Sequence, residues 1–512
     1  MNNKVIFGPP GTGKTTYLLD VVDVKIKEGI KPDRIGYFAY TKKAATEAVE
    51  RACLKFNLER KEFQYFRTLH SLAFQMLGLS TNDVMRTKNY SELSKMLGLK
   101  LSNAQDTIDN VGAFVQDDIY LRIIDLARVG KVELYEAYRK WGHIPGGWLK
   151  LDQINRTIED YKEKRKLFDY TDMIIEFNKQ DICPNLDVVI VDEAQDLSPL
   201  QWDMVTKLVN NSKQTFVAGD DDQAIFNWAG ASVSHLMGLN WDRIILNKSY
   251  RVPKKIHEAA NKLIVRIPNR VSKKWNSRSE EGEIYIYNSF SHINLQKEGQ
   301  WLIQARTKYL LDIVEDFLRQ EGLFYEKFNK PSVSEKMVRA INSWKKIARG
   351  ESIVGDSVKI MYEYIGMSKQ DLFDSFGIQR GFKKLTNIDE KETYTYADLN
   401  KDFGLLVPKS AKWHEALNKI ISSQKIYIMA AERRKQNINS KPRIKLSTIH
   451  GAKGGESDHV VILTDLSHKA EEAYHKNPDD ERRVFYVGMT RAKKSLHIVR
   501  SQSEREFKEI FV

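Results

Sequence analysis

Cysteine is nearly absent from this sequence. Cys53 and Cys183 are the only two among 512 residues. A disulfide framework and a cysteine-rich zinc site are both excluded, and a reducing compartment fits. Long apolar runs are missing too. None approaches the ~20 residues that a bilayer-spanning helix needs. With seven residues ahead of the first glycine-rich segment, no secretory leader is expected. The expectation is a soluble, cytoplasmic protein with no membrane partner. Acid is also in short supply: Asp+Glu number 68 against Lys+Arg 81, a net charge of +13. Such an excess suits a polyanionic partner, nucleic acid first. The rest, 42% hydrophobic and 29% charged, is ordinary for globular proteins. The length allows several domains, each with its own core.

The most informative stretch that is present is Gly8-Pro9-Pro10-Gly11-Thr12-Gly13-Lys14-Thr15, followed by Thr16. It matches the phosphate-loop pattern G-x-x-x-x-G-K-[ST] at every fixed position. The apolar run Lys4-Val5-Ile6-Phe7 before it suits a buried strand, and the residues after Thr15 suit a helix. Glycines let backbone N–H groups turn toward an anion, and the helix start adds its positive dipole end. Lys14 is placed to reach β- and γ-phosphates, and the Thr15 hydroxyl to hold Mg²⁺.

Further strand-to-helix junctions follow. Arg34–Tyr40 reads as a strand, with Thr41 capping a helix that opens at Lys42 and Lys43. Phe66–Phe74 reads as another junction; His70 within it, taken alone, reads as structural. Residues 80–180 turn to helical spacing among many charges, as at Ile119, Leu121, Ile123, Ile124 and Leu126. We expect a helical insertion there, with a turn at Gly146-Gly147 and a solvated basic face at Tyr161–Lys166. Leu186–Val191 is a buried parallel strand by composition. It ends in Asp192-Glu193-Ala194-Gln195-Asp196, where α/β sheets bind ligands. Asp192 is placed to hold Mg²⁺, and Glu193 to polarise an attacking water. Thr215–Gly219 is the next strand. Beyond it, Gln223 could sense a γ-phosphate, while Phe226 and Trp228 suit either base stacking or core packing.

Together these segments resemble the UvrD/Rep/PcrA-like group of superfamily 1A DNA helicases. The second half carries the resemblance on, in Leu246–Arg251, Lys445–Glu456 and Val484–Ala492, and in the short signature Leu167–Asp172. It implies an α/β fold: two RecA-like P-loop motor domains with parallel sheets, each carrying a mostly helical insertion. The expected boundaries are 1–79 with 181–250 for the first motor and 80–180 for its insertion. Those for the second motor are 251–330 with 441–512, and its short insertion is 331–440. The resemblance implies 3′→5′ translocation on single-stranded DNA driven by ATP and Mg²⁺, duplex unwinding, and replication or repair proteins as partners. Gly8–Thr16, Tyr250 and Glu456 would bind the nucleotide, and Thr15 and Asp192 the metal. Glu193, Gln223, Arg251 and Arg491 would serve hydrolysis. Tyr40, Thr41, Lys42, His70, Phe226, Trp228, Lys308 and His450 would lie along the DNA.

The sequence departs from the family pattern in several places. No glutamine-containing segment precedes Gly8, and Thr16 and Ala229 stand where arginines are common. Gly455 and Ser457 flank Glu456 in place of Leu and Phe, and Lys308 replaces an asparagine. Adenine recognition therefore rests on Tyr250, and weaker selection of ATP over other triphosphates is expected. An apolar helix face is expected at Val338, Ile341, Trp344, Lys345 and Ile347. Lys383-Lys384 and Glu432–Lys435 supply charge, and Arg433, Arg434 and Lys435 read as a solvated run rather than as a duplex-DNA contact. Two alternatives stay open: an RNA-directed helicase, and a nucleic-acid-stimulated ATPase that strips or switches binding without processive unwinding.

Overall fold

The computed structural model describes residues 3–101, 119–367, 376–379 and 385–511. Lys383 and Lys384 lie outside them. The chain forms two compact units. One holds Met1–Ser289, Gln304–Lys308 and Thr448–Val512; the other holds Phe290–Ile303 and Tyr309–Ser447.

The first unit is built on a six-stranded sheet. Its strands are β1 (Lys4–Phe7), β2 (Ile35–Ala39), β3 (Phe66–Arg67), β4 (Val188–Asp192), β5 (Gln214–Gly219) and β6 (Asp242–Ile245), in the order β3-β2-β4-β5-β1-β6. Every pairing is parallel. Side chains alternate between faces with a period of two, and both faces are apolar. Val5, Phe7, Phe38, Val189, Val191 and Val217 pack on one side with Leu72, Phe177 and Val205. Ile6, Tyr37, Val188, Ile190, Phe216 and Ala218 pack on the other with Leu18, Val22 and Ala48. A sheet covered on both faces explains why β4 reads as an unbroken apolar run.

Caps set the helix starts. Thr41 accepts from Ala44 N, as expected, and Thr68 caps Leu69–Met76 in the same way. Among the described residues after Gly78, the helices Thr87–Leu97, Ile119–Gly130 and Gly147–Arg165 share a core that includes Tyr90, Ile123, Ile154 and Tyr161. Gly146 and Gly147 both have positive φ, 71° and 60°, and so make the turn into Gly147–Arg165. The basic run there departs from expectation at its start. Tyr161 and Lys162 are buried, and only Glu163–Lys166 are exposed. Lys162 faces inward because three carboxylates, Glu159, Asp169 and Asp172, meet its ammonium at 2.8–3.0 Å. This unit also contains the parallel strands Glu283–Tyr287, Ala492–Val499 and Ser457–Leu463, with Ala492–Val499 in the middle. The helices Lys254–Ile264 and Pro478–Met489 pack on them.

In the second unit, Tyr325–Lys327 pairs in parallel with Ile444, Lys445 and Leu446 and antiparallel with Lys330–Pro331. Helix Glu335–Arg349 buries Val338, Ile341, Trp344 and Ile347. Lys345 sits at the edge of that face, 2.6 Å from Glu432. Arg433 and Lys435 are exposed, and Arg434 pairs with Glu321. Parallel sheets with flanking helices and helical insertions make this the expected RecA-like α/β architecture. No helix among the described residues is long and apolar enough to cross a membrane.

Candidate nucleotide and nucleic-acid sites

Both candidate sites lie in the first unit. Three strand ends make the floor of the first. Gly8 N donates to Gly219 O at 3.0 Å, so the loop after β1 is tied to the end of β5. Gly11 and Gly13 hold φ of 72° and 79°, a region that disfavours side chains. The turn is closed by Thr12 Oγ1 donating to Pro9 O at 2.8 Å. The Lys14 stem folds across Gly8, where a Cβ would stand 2.1 Å from Lys14 Cγ. Its ammonium donates to Gly8 O at 3.0 Å and lies 3.6 Å from Glu193 Oε1. Thr16 is exposed in the first helical turn.

At the end of β4, Asp192 accepts from Thr15 Oγ1 at 3.2 Å, from Tyr37 OH at 2.7 Å and from Glu193 N at 2.9 Å. A hydroxyl beside a carboxylate at a phosphate loop is a hard-oxygen donor pair, and it fits Mg²⁺. Burial, and then the neighbouring Glu193, push the Asp192 carboxyl up. For Glu193, burial opposes the charge, but Lys14, Lys453, Gln195 and Arg491 outweigh it and hold the carboxyl low. Glu193 itself has φ of 55°, which turns its side chain out of the strand direction.

Residues from further along the chain complete the group. Tyr250 N donates to Gly11 O at 2.8 Å, and Ser249 Oγ to Pro10 O at 2.8 Å. Tyr250 stays 68% exposed beside the loop, with Lys248 Nζ 5.4 Å from its ring centre. Arg251 Nε donates to Glu456 Oε2 at 2.6 Å, and Lys493 pairs with the other oxygen of Glu456 at 2.7 Å. Arg491 Nη2 donates to Gln223 Oε1 at 2.7 Å, and Gln223 Nε2 to Asp220 Oδ2 at 2.6 Å. Burial disfavours the charge on Arg491, and Arg251 disfavours it further. An anion between Lys14, Arg251 and Arg491 would relieve that repulsion.

The second group is an aromatic row. Tyr40 stacks with Phe226 at 5.9 Å, Phe226 meets His450 at 6.0 Å, and His450 meets Trp228 edge-on at 6.0 Å. Trp228 is half-buried, so it is not a closed core residue. His450 is buried, with Nε2 3.2 Å from Ile225 O and Nδ1 lacking a partner. His70 stands apart from the row, edge-on to Tyr170 at 6.0 Å, and burial pushes its imidazole down to about 4. Tyr40, Thr41, Lys42 and His70 line a cavity of about 1350 Å³, which also receives Arg67, Arg86 and Ser198. None of the phosphate-loop residues lines it. Lys308 is half-buried at the start of the single turn Lys308–Leu311.

Comparison with known proteins now decides the family. Residues 1–242 match the UvrD/REP helicase N-terminal domain, and residues 335–503 match the UvrD-like helicase C-terminal domain. The chain belongs to the UvrD/Rep/PcrA-like group of superfamily 1. A probable DNA helicase II homolog of Rickettsia conorii is 23% identical over 98% of this chain and 90% of its own length. The ATP-dependent DNA helicase PcrA of Bacillus subtilis is 23% identical over 97% and 80%. The ATP-dependent DNA helicase Rep of Buchnera aphidicola is 22% identical over 98% and 92%.

This UvrD-like chain holds two charge networks that its sequence did not disclose. Lys453 donates to Asp196 Oδ1 and to Gln223 O, each at 2.7 Å, and its ammonium lies 5.0 Å from the Phe226 ring centre. Gln195 bonds both Glu193 and Asp196, so the Glu193 carboxylate is linked through Gln195, Asp196 and Lys453 to Phe226. The second network neutralises Asp220-Asp221-Asp222. All three are buried around Lys273, and Arg270 Nε reaches Asp222 at 2.8 Å. Three consecutive aspartates are the only local signal, and nothing near them in sequence names the partners.

Proposed function

We propose that this protein is an ATP-driven DNA translocase that moves 3′→5′ on single strands and unwinds duplex DNA at single-strand/duplex junctions. The domain boundaries given above and the site roles below belong to the same proposal. The observation that carries it is the short turn from Gln223 to Trp228. At one end Gln223 bonds Arg491; at the other, Phe226 and Trp228 stand in the aromatic row. Ala224 and Ile225 between them are buried. A change at the triphosphate therefore has a stiff route to a stacked base.

In this reading the loop N–H groups, Lys14, Arg251 and Arg491 bind and orient the phosphates. Thr15 and Asp192 would hold Mg²⁺, which would supply charge neutralisation to the phosphates. Glu193, held anionic by Lys14 and Lys453, orients the attacking water and accepts its proton. Arg491 stabilises the charge that builds on the transferring phosphoryl group, a contribution of about 10³–10⁵ in rate for such arginines. Gln223 passes the difference between bound triphosphate and diphosphate to the row, and Tyr250 stacks on the base. Strand, Thr41 N-cap and Lys42 together offer a helix start to a backbone phosphate.

Duplexes with a 3′ or a 5′ single-stranded tail test the proposal. Strand release with ATP from the 3′-tailed substrate alone is the expected result. ATP consumption without release at either polarity would instead mark a stripping ATPase, and stronger stimulation by RNA than by DNA would mark an RNA-directed motor.

A further inference from the structure

Helix Ile119–Gly130 belongs to the helical insertion, yet one stripe of it lies on the turn that carries Trp228. Arg122, Leu126 and Val129 are spaced i, i+4 and i+7, on one helix face. At the Val129 end the approach is close. A Cβ on Gly230 would stand 2.6 Å from Val129 Cγ2 and 3.5 Å from Leu126 Cδ2, and Gly230 has φ of 90°. At the other end the Arg122 guanidinium lies 5.1 Å from the Trp228 ring centre and 4.9 Å from that of Trp141. Arg122 Nη2 also donates to the Trp228 carbonyl at 3.4 Å. Trp141 ends the next insertion helix, Leu134–Trp141. A planar cation between two indoles is attracted to both ring faces, and a lysine ammonium cannot reproduce that stacked fit.

We infer that Arg122 is a positioning residue for single-strand binding: it fixes the Trp228 ring and so makes the insertion part of the grip on the strand. The inference rests on the reading above, in which Trp228 receives a base. A Trp228 ring without this support samples more rotamers when free and must give up that freedom when a base stacks on it. The loss therefore falls on affinity for the strand.

The test measures affinity for a fluorescent oligo-dT by anisotropy across a salt series. It uses the full chain and the variants Arg122→Ala, Arg122→Lys, Trp228→Ala and the Arg122→Ala/Trp228→Ala double substitution. Circular dichroism and melting temperature confirm that each variant is folded. Arg122→Ala should bind roughly threefold to tenfold more weakly. Arg122→Lys should not restore the affinity. The Arg122 effect should vanish in the Trp228→Ala background. The salt slope should stay that of the wild type, because no phosphate contact is lost. Full rescue by Arg122→Lys, or a salt slope smaller by about 0.7 as for one lost single-strand phosphate contact, would overturn the positioning role. So would additive effects of the two alanines. Unchanged affinity in Arg122→Ala, with wild type and Trp228→Ala differing as expected, overturns this inference alone. A wild-type chain that does not bind the oligonucleotide overturns the underlying reading as well.

Discussion

Lys14 shows how much of the site is readable one residue at a time. Its place in the loop follows from a spacing rule, and the structure sets its ammonium between the Gly8 carbonyl and Glu193. Lys14→Ala should lower the hydrolysis rate by about 10²–10³, the usual loss for one preorganised charge donor. Single-strand affinity should fall little, and steady-state ATPase with anisotropy on the same preparation checks both. Lys162 shows the opposite. Its neighbours Glu163, Lys164, Arg165 and Lys166 are solvated, and of its three carboxylate partners only Glu159 is near it in sequence. The partners that bury it, Asp169 and Asp172, lie across a turn and are shared with Arg128. Arg122 was equally silent, because its meaning comes from Trp228, more than a hundred positions away. Residues whose role is a local backbone shape were legible from spacing; those whose partner is a distant charge or ring were legible only where the family resemblance marked them, as at Arg251 and Arg491.

Among the elements, helix Tyr170–Lys179 depends on this buried charge. Asp169 and Asp172 form its capping box. Burial opposes the charge on Asp169, but Arg128 and Lys162 hold its carboxyl well below the usual range. Lys162→Met would leave one of these anions poorly compensated, at a cost of about 3 kcal/mol. Amides of that helix should then exchange with solvent roughly 100-fold faster, a change visible by hydrogen exchange. A second element is tied down by Glu509, which accepts from Arg482 Nε and Nη2 at 2.9 and 3.0 Å, from Arg266 Nη1 at 3.0 Å and from Tyr474 OH at 2.7 Å. Burial works against the charge, yet these donors hold its carboxyl down at about 2, below the ordinary 4.5. A depressed carboxyl stabilises the fold fully above its ordinary value, and that stabilisation is lost as pH falls through the lower one. Melting temperature should therefore drop between pH 4.5 and 2, and Glu509→Gln should flatten the drop in that window. The elements themselves were mostly legible, since strands buried on both faces leave unbroken apolar runs and helices with Thr caps leave a start signal. The Asp220-Asp221-Asp222 turn was not, because its neutralising partners Lys273 and Arg270 come from a segment with no distinctive pattern.

For the molecule as a whole, base selectivity follows from what surrounds the loop. Tyr250 is exposed beside Gly11, with its backbone N–H on the Gly11 carbonyl. Stacking accepts any base, whereas hydrogen-bonded readers reach about 10⁴ in discrimination. The ratio of kcat/KM for ATP to that for GTP should stay below roughly 100; steady-state rates with both nucleotides measure it.

The span from Gln223 to Trp228 is six residues, and Ala224 and Ile225 within it are pinned in the core. In the translocase proposed above, a link that short and that stiff leaves almost no backlash between fuel and stride. One extra glycine spliced in after Ile225 should give a machine that idles, consuming nucleotide on DNA while its rate of travel collapses.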